Sequence, residues 1–297
     1  MPKREHTVIG AGLAGSLLAL KLAQRGERVR VFERRPDPRS VGYLGGRSIN
    51  MALAERGLHA LRSAGLEREV LDLAVMMRGR MVHEGDGNQR FFRYGRDDSE
   101  VLWAVNRGRL NTGLIHAAEA AGAAFHFDSV LESVDFARRE LRFAGDDAQA
   151  RRTEFELVIG ADGAGSSLRT SMQRMVDLGE QIDWMQHGYK ELRMPPSPDG
   201  GFRIEANALH IWPQDACMLI ALPNIDGSFT ATLFLAKRGR PGFASLDSKI
   251  AVRDFFVDRF PSAAPLLPDR LPNSNAIRSA RWRRCGWNAG IWTNAHC

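Results

Sequence analysis

Cysteine is scarce in this chain of 297 residues: Cys217, Cys285 and Cys297 form no CxxC pair, and no paired histidines accompany them. That excludes a disulfide framework and a structural zinc site, and it suits a reducing cytoplasm. No apolar run approaches the roughly 18 residues of a membrane span. Repeats of solenoid length and low-complexity segments are missing too, so neither an array nor a disordered chain is expected. Lys3 and Arg4 ahead of an apolar run imitate a signal peptide, but glycines break the run, and the segment is expected to be core. Acidic residues are absent from Ser274 to Cys297, which holds Arg278, Arg281, Arg283 and Arg284. Those four arginines carry most of the formal net charge of +6, and without them the body stands at +2. Basicity is therefore no argument for a nucleic acid or a membrane surface.

What is present is organised around Thr7 to Arg35. A short apolar strand runs into the turn Gly10-Ala11-Gly12-Leu13-Ala14-Gly15, then a helix, a second strand and an acid, Glu33. A dinucleotide site needs this order: Gly10 for a tight turn, Gly12 for backbone approach to a pyrophosphate, Gly15 for close packing of helix on strand. The helix N-terminus supplies N–H donors for the phosphates. Glu33 stands 18 residues beyond Gly15, about the usual distance for a carboxylate that accepts from ribose hydroxyls, which favours a free 2′-OH.

Helical spacing predicts a helix over Leu13–Gln24 stopped by Gly26, then a strand over Arg28–Phe32. Pro36-Asp37-Pro38 should break the chain, and a glycine-rich loop over Gly42–Gly46 leads into Arg47-Ser48-Ile49. A helix is expected over Asn50–Ser63 ending at Gly65, a β-hairpin within Met76–Tyr94, and a helix over Arg109–Ala121 capped by Gly122. Phe155–Gly160 reads as a buried strand, and the following Asp162-Gly163 turn is either a second phosphate-facing turn or a plain connection into a helix. From Tyr189 to Phe234 the alternation is that of an antiparallel sheet. The fold class is α/β: a Rossmann-like unit joined to an antiparallel β-sheet unit.

Gly10–Gly15, Gly46-Arg47-Ser48-Ile49-Asn50, Asp162-Gly163 through Ser166 and Arg169, His187-Gly188-Tyr189 and Leu209-His210-Ile211-Trp212-Pro213 together resemble the FAD-dependent aromatic hydroxylases, the class A flavoprotein monooxygenases. The similarity spans roughly residues 5 to 270 and is specifically to the branch that hydroxylates kynurenine. It implies a flavoprotein monooxygenase in which NADPH reduces FAD, O₂ forms a flavin C4a-hydroperoxide, and L-kynurenine becomes 3-hydroxykynurenine, a step of tryptophan degradation toward NAD synthesis. The flavin carries the hard chemistry, which accounts for the lack of a catalytic triad, metal cluster or carboxylate pair. NADPH needs no second fingerprint, because in this family it is taken transiently. The domains implied are FAD-binding over 1–75 and 99–180, substrate-binding over 76–98 and 181–272, and an atypical tail over 273–297.

Residue by residue, the resemblance implies FAD contacts at Gly10, Gly12, Ala14, Gly15, Phe32, Glu33, Arg34, Arg35, Ala52, Arg107, Leu131, Asp162 and Ser167. Arg80 and Tyr94 match the family's substrate pair: a guanidinium to grip an amino-acid carboxylate, a phenol to donate beside it. On composition alone, Arg80 reads as a solvated arginine on a strand edge and Tyr94 as packing with Phe91 and Phe92. His187 and His210 read as structural, and Trp212 and Phe234 as sheet core. Near Leu271 the resemblance stops. Three of the six tryptophans and two of the three cysteines crowd into the last 24 residues, as a shifted reading frame or a divergent tail would have them. The family's ribityl-binding Gly-Asp segment is not matched, so little or no hydroxylase activity is expected of the chain as written. A hydroxylase of another aromatic acid and a non-catalytic FAD-binding fragment are the alternatives.

Overall fold

The structure, a computed structural model, describes residues 4–41, 50–85, 87–144 and 151–267, together with the backbone of 283–286. The chain divides into two compact units, one of Met1–Ser48, Gly108–Ile182 and Cys285–Cys297, the other of Ile49–Arg107 and Asp183–Arg284. The glycine-rich loop at 42–46, Arg47 to Ile49 and all the side chains of the tail lie outside the described residues.

In the first unit a four-stranded parallel sheet runs in the order Leu157–Gly160, Glu5–Ile9, Arg28–Phe32, Ala124–His126. The helix Leu13–Gln24 and the strand Arg28–Phe32 form at the predicted bounds. Ala19, Leu20 and Ala23 turn the helix's apolar stripe inward, and Gly26, at φ +79°, ends it by donating to the Ala23 carbonyl. Such a strand, helix and parallel strand make a βαβ unit, which brings strand C-termini and the helix N-terminus to one end of the sheet. A three-stranded antiparallel sheet of Leu131–Asp135, Glu140–Phe143 and Arg151–Glu154 adds Leu131, Leu141 and Phe143 to a core shared with Ile9, Phe32 and Leu168. The expected buried strand at Phe155–Gly160 is corrected: Leu157–Gly160 forms the strand, and Leu157 is 44% exposed. Among the described residues this strand pairs on one side only, with Glu5–Ile9, so its outer side has no neighbour to cover it.

The second unit holds a six-stranded sheet in the order His187–Met194, Phe229–Ala236, Cys217–Pro223, Ala208–Pro213, Gly79–His83, Gln89–Arg93. All pairs are antiparallel except Ala208–Pro213 with Gly79–His83. One face packs on the helix Lys249–Arg259 through Trp212, Leu219, Phe229, Phe255 and Phe260. The hairpin expected within Met76–Tyr94 is present, closed by Glu84 N–H donating to the Asn88 carbonyl.

One expectation fails in this unit. The helix predicted from Asn50 begins at Glu55, because Asn50–Leu53 is a strand paired antiparallel to Leu102–Asn106, which also pairs with Ala74–Met77. Those pairings hold 50–53, 74–77 and 102–106 together within the second unit. Among the described residues no helix is long and apolar enough to cross a membrane.

Candidate functional site

The glycine turn of the first unit is built on steric need. Gly10 sits at φ +103°, and a Cβ there would stand 2.5 Å from the Ala161 carbonyl oxygen. A Cβ on Gly15 would come to 1.9 Å from the Gly10 oxygen, so the helix can lie this close to the strand only with glycine. Gly12 differs. A Cβ there would meet no atom within 4 Å among the described residues, and Ala14 beside it is exposed. Gly12 caps the helix with no side-chain hydrogen bond, which leaves the positive end of the helix dipole facing that open space. A turn closed at its flanks and open at its centre fits a pyrophosphate.

Glu33 ties the turn down before any ligand does. Its Oε2 accepts from Ala11 N–H at 2.8 Å and its Oε1 from Arg35 N–H at 3.1 Å. A carboxylate has about four acceptor positions, so about two remain open to further donors. Gly10 N–H donates to the Phe32 carbonyl at 2.8 Å. The Phe32 side chain itself is core, stacked on His126 and Phe143, and Leu131 is equally buried, so neither presents a side-chain surface to a ligand. Arg34 is exposed and Arg35 half-buried at the end of the same strand. Asp162 caps its own helix, with Oδ2 accepting from Ser167 N–H at 2.8 Å and Leu168 N–H at 3.3 Å, while Ser166 Oγ accepts from Arg169 N–H. The N–H groups of Ser167, Leu168 and Arg169 at the start of this helix are thus taken by its own side chains.

Ala52 and Arg107 belong to the second unit. Ala52 is an exposed strand residue, and Arg107 is half-buried with its Nε atom buried and unpartnered among the described residues. Arg80 and Tyr94 come together on one face of the hairpin: Arg80 is paired across from Phe92, and Tyr94 N–H donates to the Arg78 carbonyl just beyond. The Arg80 guanidinium lies over the Phe92 ring at 5.8 Å. Arg78 and Arg93 share the Asp98 carboxylate, whereas among the described residues Arg80 has no acidic partner. Arg80 is exposed, as a solvated arginine would be, but its strand is flanked on both sides and is not an edge. Tyr94 packs against Met77, Ala104 and Leu222. Its hydroxyl is buried without a hydrogen-bond partner among the described residues. Burial pushes the phenol above its ordinary value against the pull of Arg80, so it stays a donor at neutral pH.

His210 is structural, as read from the sequence. Its Nε2 donates to the Glu205 carbonyl at 2.8 Å, which makes its Nδ1 the acceptor for His83 Nε2 at 2.8 Å. His83, Met81 and their neighbours alternate away from Arg80, and His83 stacks on Trp212 at 4.0 Å. The Trp212 N–H donates to Ser262 Oγ at 2.9 Å. Phe234 is only half-buried. Two positions escaped the sequence reading: Ser16 and Asn111 both donate to the Ala11 carbonyl, at 3.1 and 3.0 Å. The available signal was an amide in the middle of the apolar face formed by Leu110, Leu114, Ile115 and Ala118.

Residues 4–200 match the family described as FAD binding domain. The kynurenine 3-monooxygenase of Xanthomonas axonopodis pv. citri (strain 306) is 55% identical over 267 residues, 90% of this chain. That of Stenotrophomonas maltophilia (strain K279a) is 53% identical over 267 residues. The chain spans 59% of the length of either relative. Among solved structures, 2-methyl-3-hydroxypyridine-5-carboxylic acid oxygenase superposes with a TM-score of 0.76 at 19% identity, covering 97% of this chain and 72% of that one. The myxobacterial chondrochloren halogenase, a variant of FAD-dependent halogenases, does so with a TM-score of 0.69 at 19% identity, covering 96% and 64%. These two likenesses concern the fold alone.

Proposed function

Because this chain belongs to the FAD binding domain family, we propose that it takes part in hydroxylating L-kynurenine to 3-hydroxykynurenine, with FAD bound, NADPH as reductant and O₂ as oxidant. The observation that carries this reading is the identity of 53–55% over 267 residues to kynurenine 3-monooxygenases. One oxygen atom enters the ring and the other leaves as water, with two electrons from NADPH. The bound flavin supplies the activation of O₂. This chain's residues bind and orient. Gly10, Gly12, Ala14 and Gly15 receive the pyrophosphate, Glu33 receives the ribose, and the neighbouring Arg34 and Arg35 offer charge. Phe32 and Leu131 support from the core, and Asp162 and Ser167 hold their own turn. Ala52 and Arg107 are further flavin contacts, a role that the buried, unpartnered Arg107 Nε supports.

Arg80 holds the substrate carboxylate through charge-assisted hydrogen bonds, and the unpartnered Tyr94 hydroxyl donates beside it. The chemistry asks for a small aromatic amino acid, and the cytoplasm is the compartment proposed. The test is aerobic NADPH oxidation by the FAD-incubated chain with a panel of ring acids. Kynurenine-dependent oxidation with formation of the 3-hydroxy product supports the reading. Retained flavin without turnover on kynurenine removes the hydroxylase and leaves a FAD-binding chain.

A further inference from the structure

Two successive peptide planes of the glycine turn are pinned from inside the first unit. The plane between Gly10 and Ala11 is held by Glu33, which accepts the Ala11 N–H. The next plane is held at the Ala11 carbonyl oxygen, which accepts from Asn111 Nδ2 and Ser16 Oγ. Asn111 is 2% exposed on an otherwise apolar helix face, so its amide must find a partner there or lose its hydration uncompensated. That partner is the turn.

In a trans peptide the carbonyl and the following N–H lie in one plane and point in opposite directions. The Ala11 carbonyl and the Gly12 N–H form such a pair. Holding the oxygen inward therefore turns the Gly12 N–H outward, at the residue where the turn is open. Glycine on both sides of Ala11 leaves the backbone little resistance of its own to rotation of this plane.

We propose that Asn111 is a positioning residue: by gripping the Ala11 carbonyl it aims the Gly12 N–H at the pyrophosphate of a bound dinucleotide. This rests on the dinucleotide reading of the turn and adds to it a residue nearly one hundred positions away, at Asn111. Ser16 shares the task from within the first helix.

The test compares ADP, which carries the diphosphate, with adenosine, which does not, by calorimetric titration of the full chain. Asn111→Leu is expected to weaken ADP on the order of tenfold, the value of one hydrogen bond to a charged group, and to leave adenosine unchanged. Ser16→Ala should move ADP in the same direction by less. A purely structural role would lower the melting temperature and leave the ADP to adenosine ratio alone, and an unchanged ratio overturns the proposal. If Asn111→Leu does not fold, Asn111→Ser and Ser16→Ala carry the same comparison with the same expected direction. A wild-type chain that binds neither ADP nor FAD overturns the dinucleotide reading itself, and the role of Asn111 falls with it.

Discussion

Gly12 and Gly15 are three residues apart and have opposite physical duties. Gly15→Ala forces a Cβ against the Gly10 backbone oxygen, which cannot yield as a side chain does, so a loss at the upper end of about 1–3 kcal/mol is expected in urea unfolding. Gly12→Ala meets no atom and sits at φ −72°, so it should cost under about 1 kcal/mol, mostly as a poorer helix cap, yet abolish retention of FAD through gel filtration. A Gly12→Ala chain that keeps its flavin would remove the turn from the site. Tyr94 offers the converse case. Tyr94→Phe deletes a buried hydroxyl with no partner among the described residues, so the unliganded chain should be equally stable or gain about 1 kcal/mol. The same change should weaken kynurenine binding to the FAD-incubated chain on the order of tenfold in a calorimetric titration, because a hydrogen bond to the bound substrate is lost. The glycine turn and Glu33 were legible because each residue type answers a chemical need at a fixed spacing, whereas Arg80 and Tyr94 came only from the family resemblance, since neither stands in a spacing that singles it out. Asn111 was not legible, since its duty lies toward Ala11, which only packing brings beside it.

At the level of elements, the strands Gly79–His83 and Ala208–Pro213 meet in parallel and place His83 against His210 in the core. Burial, with the neighbouring His210, lowers His83 from its ordinary 6.5 to about 4, and burial lowers His210 against the raising effect of Glu205. The neutral rings belong to the folded state, so unfolding takes up protons. Stability should be full above pH 6.5, decline as the pH falls from 6.5 toward 4, and flatten below for His83. Urea midpoints across that range test the sign, and His83→Phe, which removes the proton site, should flatten the slope. The misread helix start at Asn50 belongs to this scale as well. Asn50 to Leu53 carries no strand alternation of its own, and it becomes a strand because Leu102–Asn106 offers it a ladder more than 40 residues later.

For the whole molecule, ligand linkage gives the plainest check. FAD at about one hundred times its dissociation constant should raise the unfolding free energy by about 2.7 kcal/mol, with the gain following the logarithm of concentration. Hydrogen exchange should slow most at Gly10 to Gly15 and around Glu33. No shift in the unfolding midpoint at saturating FAD would mean the turn binds nothing. The division into two units also lives at this scale. The alternation of apolar residues announced an antiparallel sheet, and the sheet is there, but which unit takes 49–75 was decided by strand pairing and not by any local pattern.

Sequence by itself determined the βαβ start, the turn, the acid at Glu33 and the antiparallel character of the later strands, because periodicity and steric demand act over a few residues. Tertiary structure alone decided that Asn111 grips Ala11, that His83 faces His210, that Leu157 stands exposed and that Tyr94 keeps a buried hydroxyl. Each of these depends on segments distant in the chain meeting in space, and burial and hydrogen-bond satisfaction are properties of that meeting.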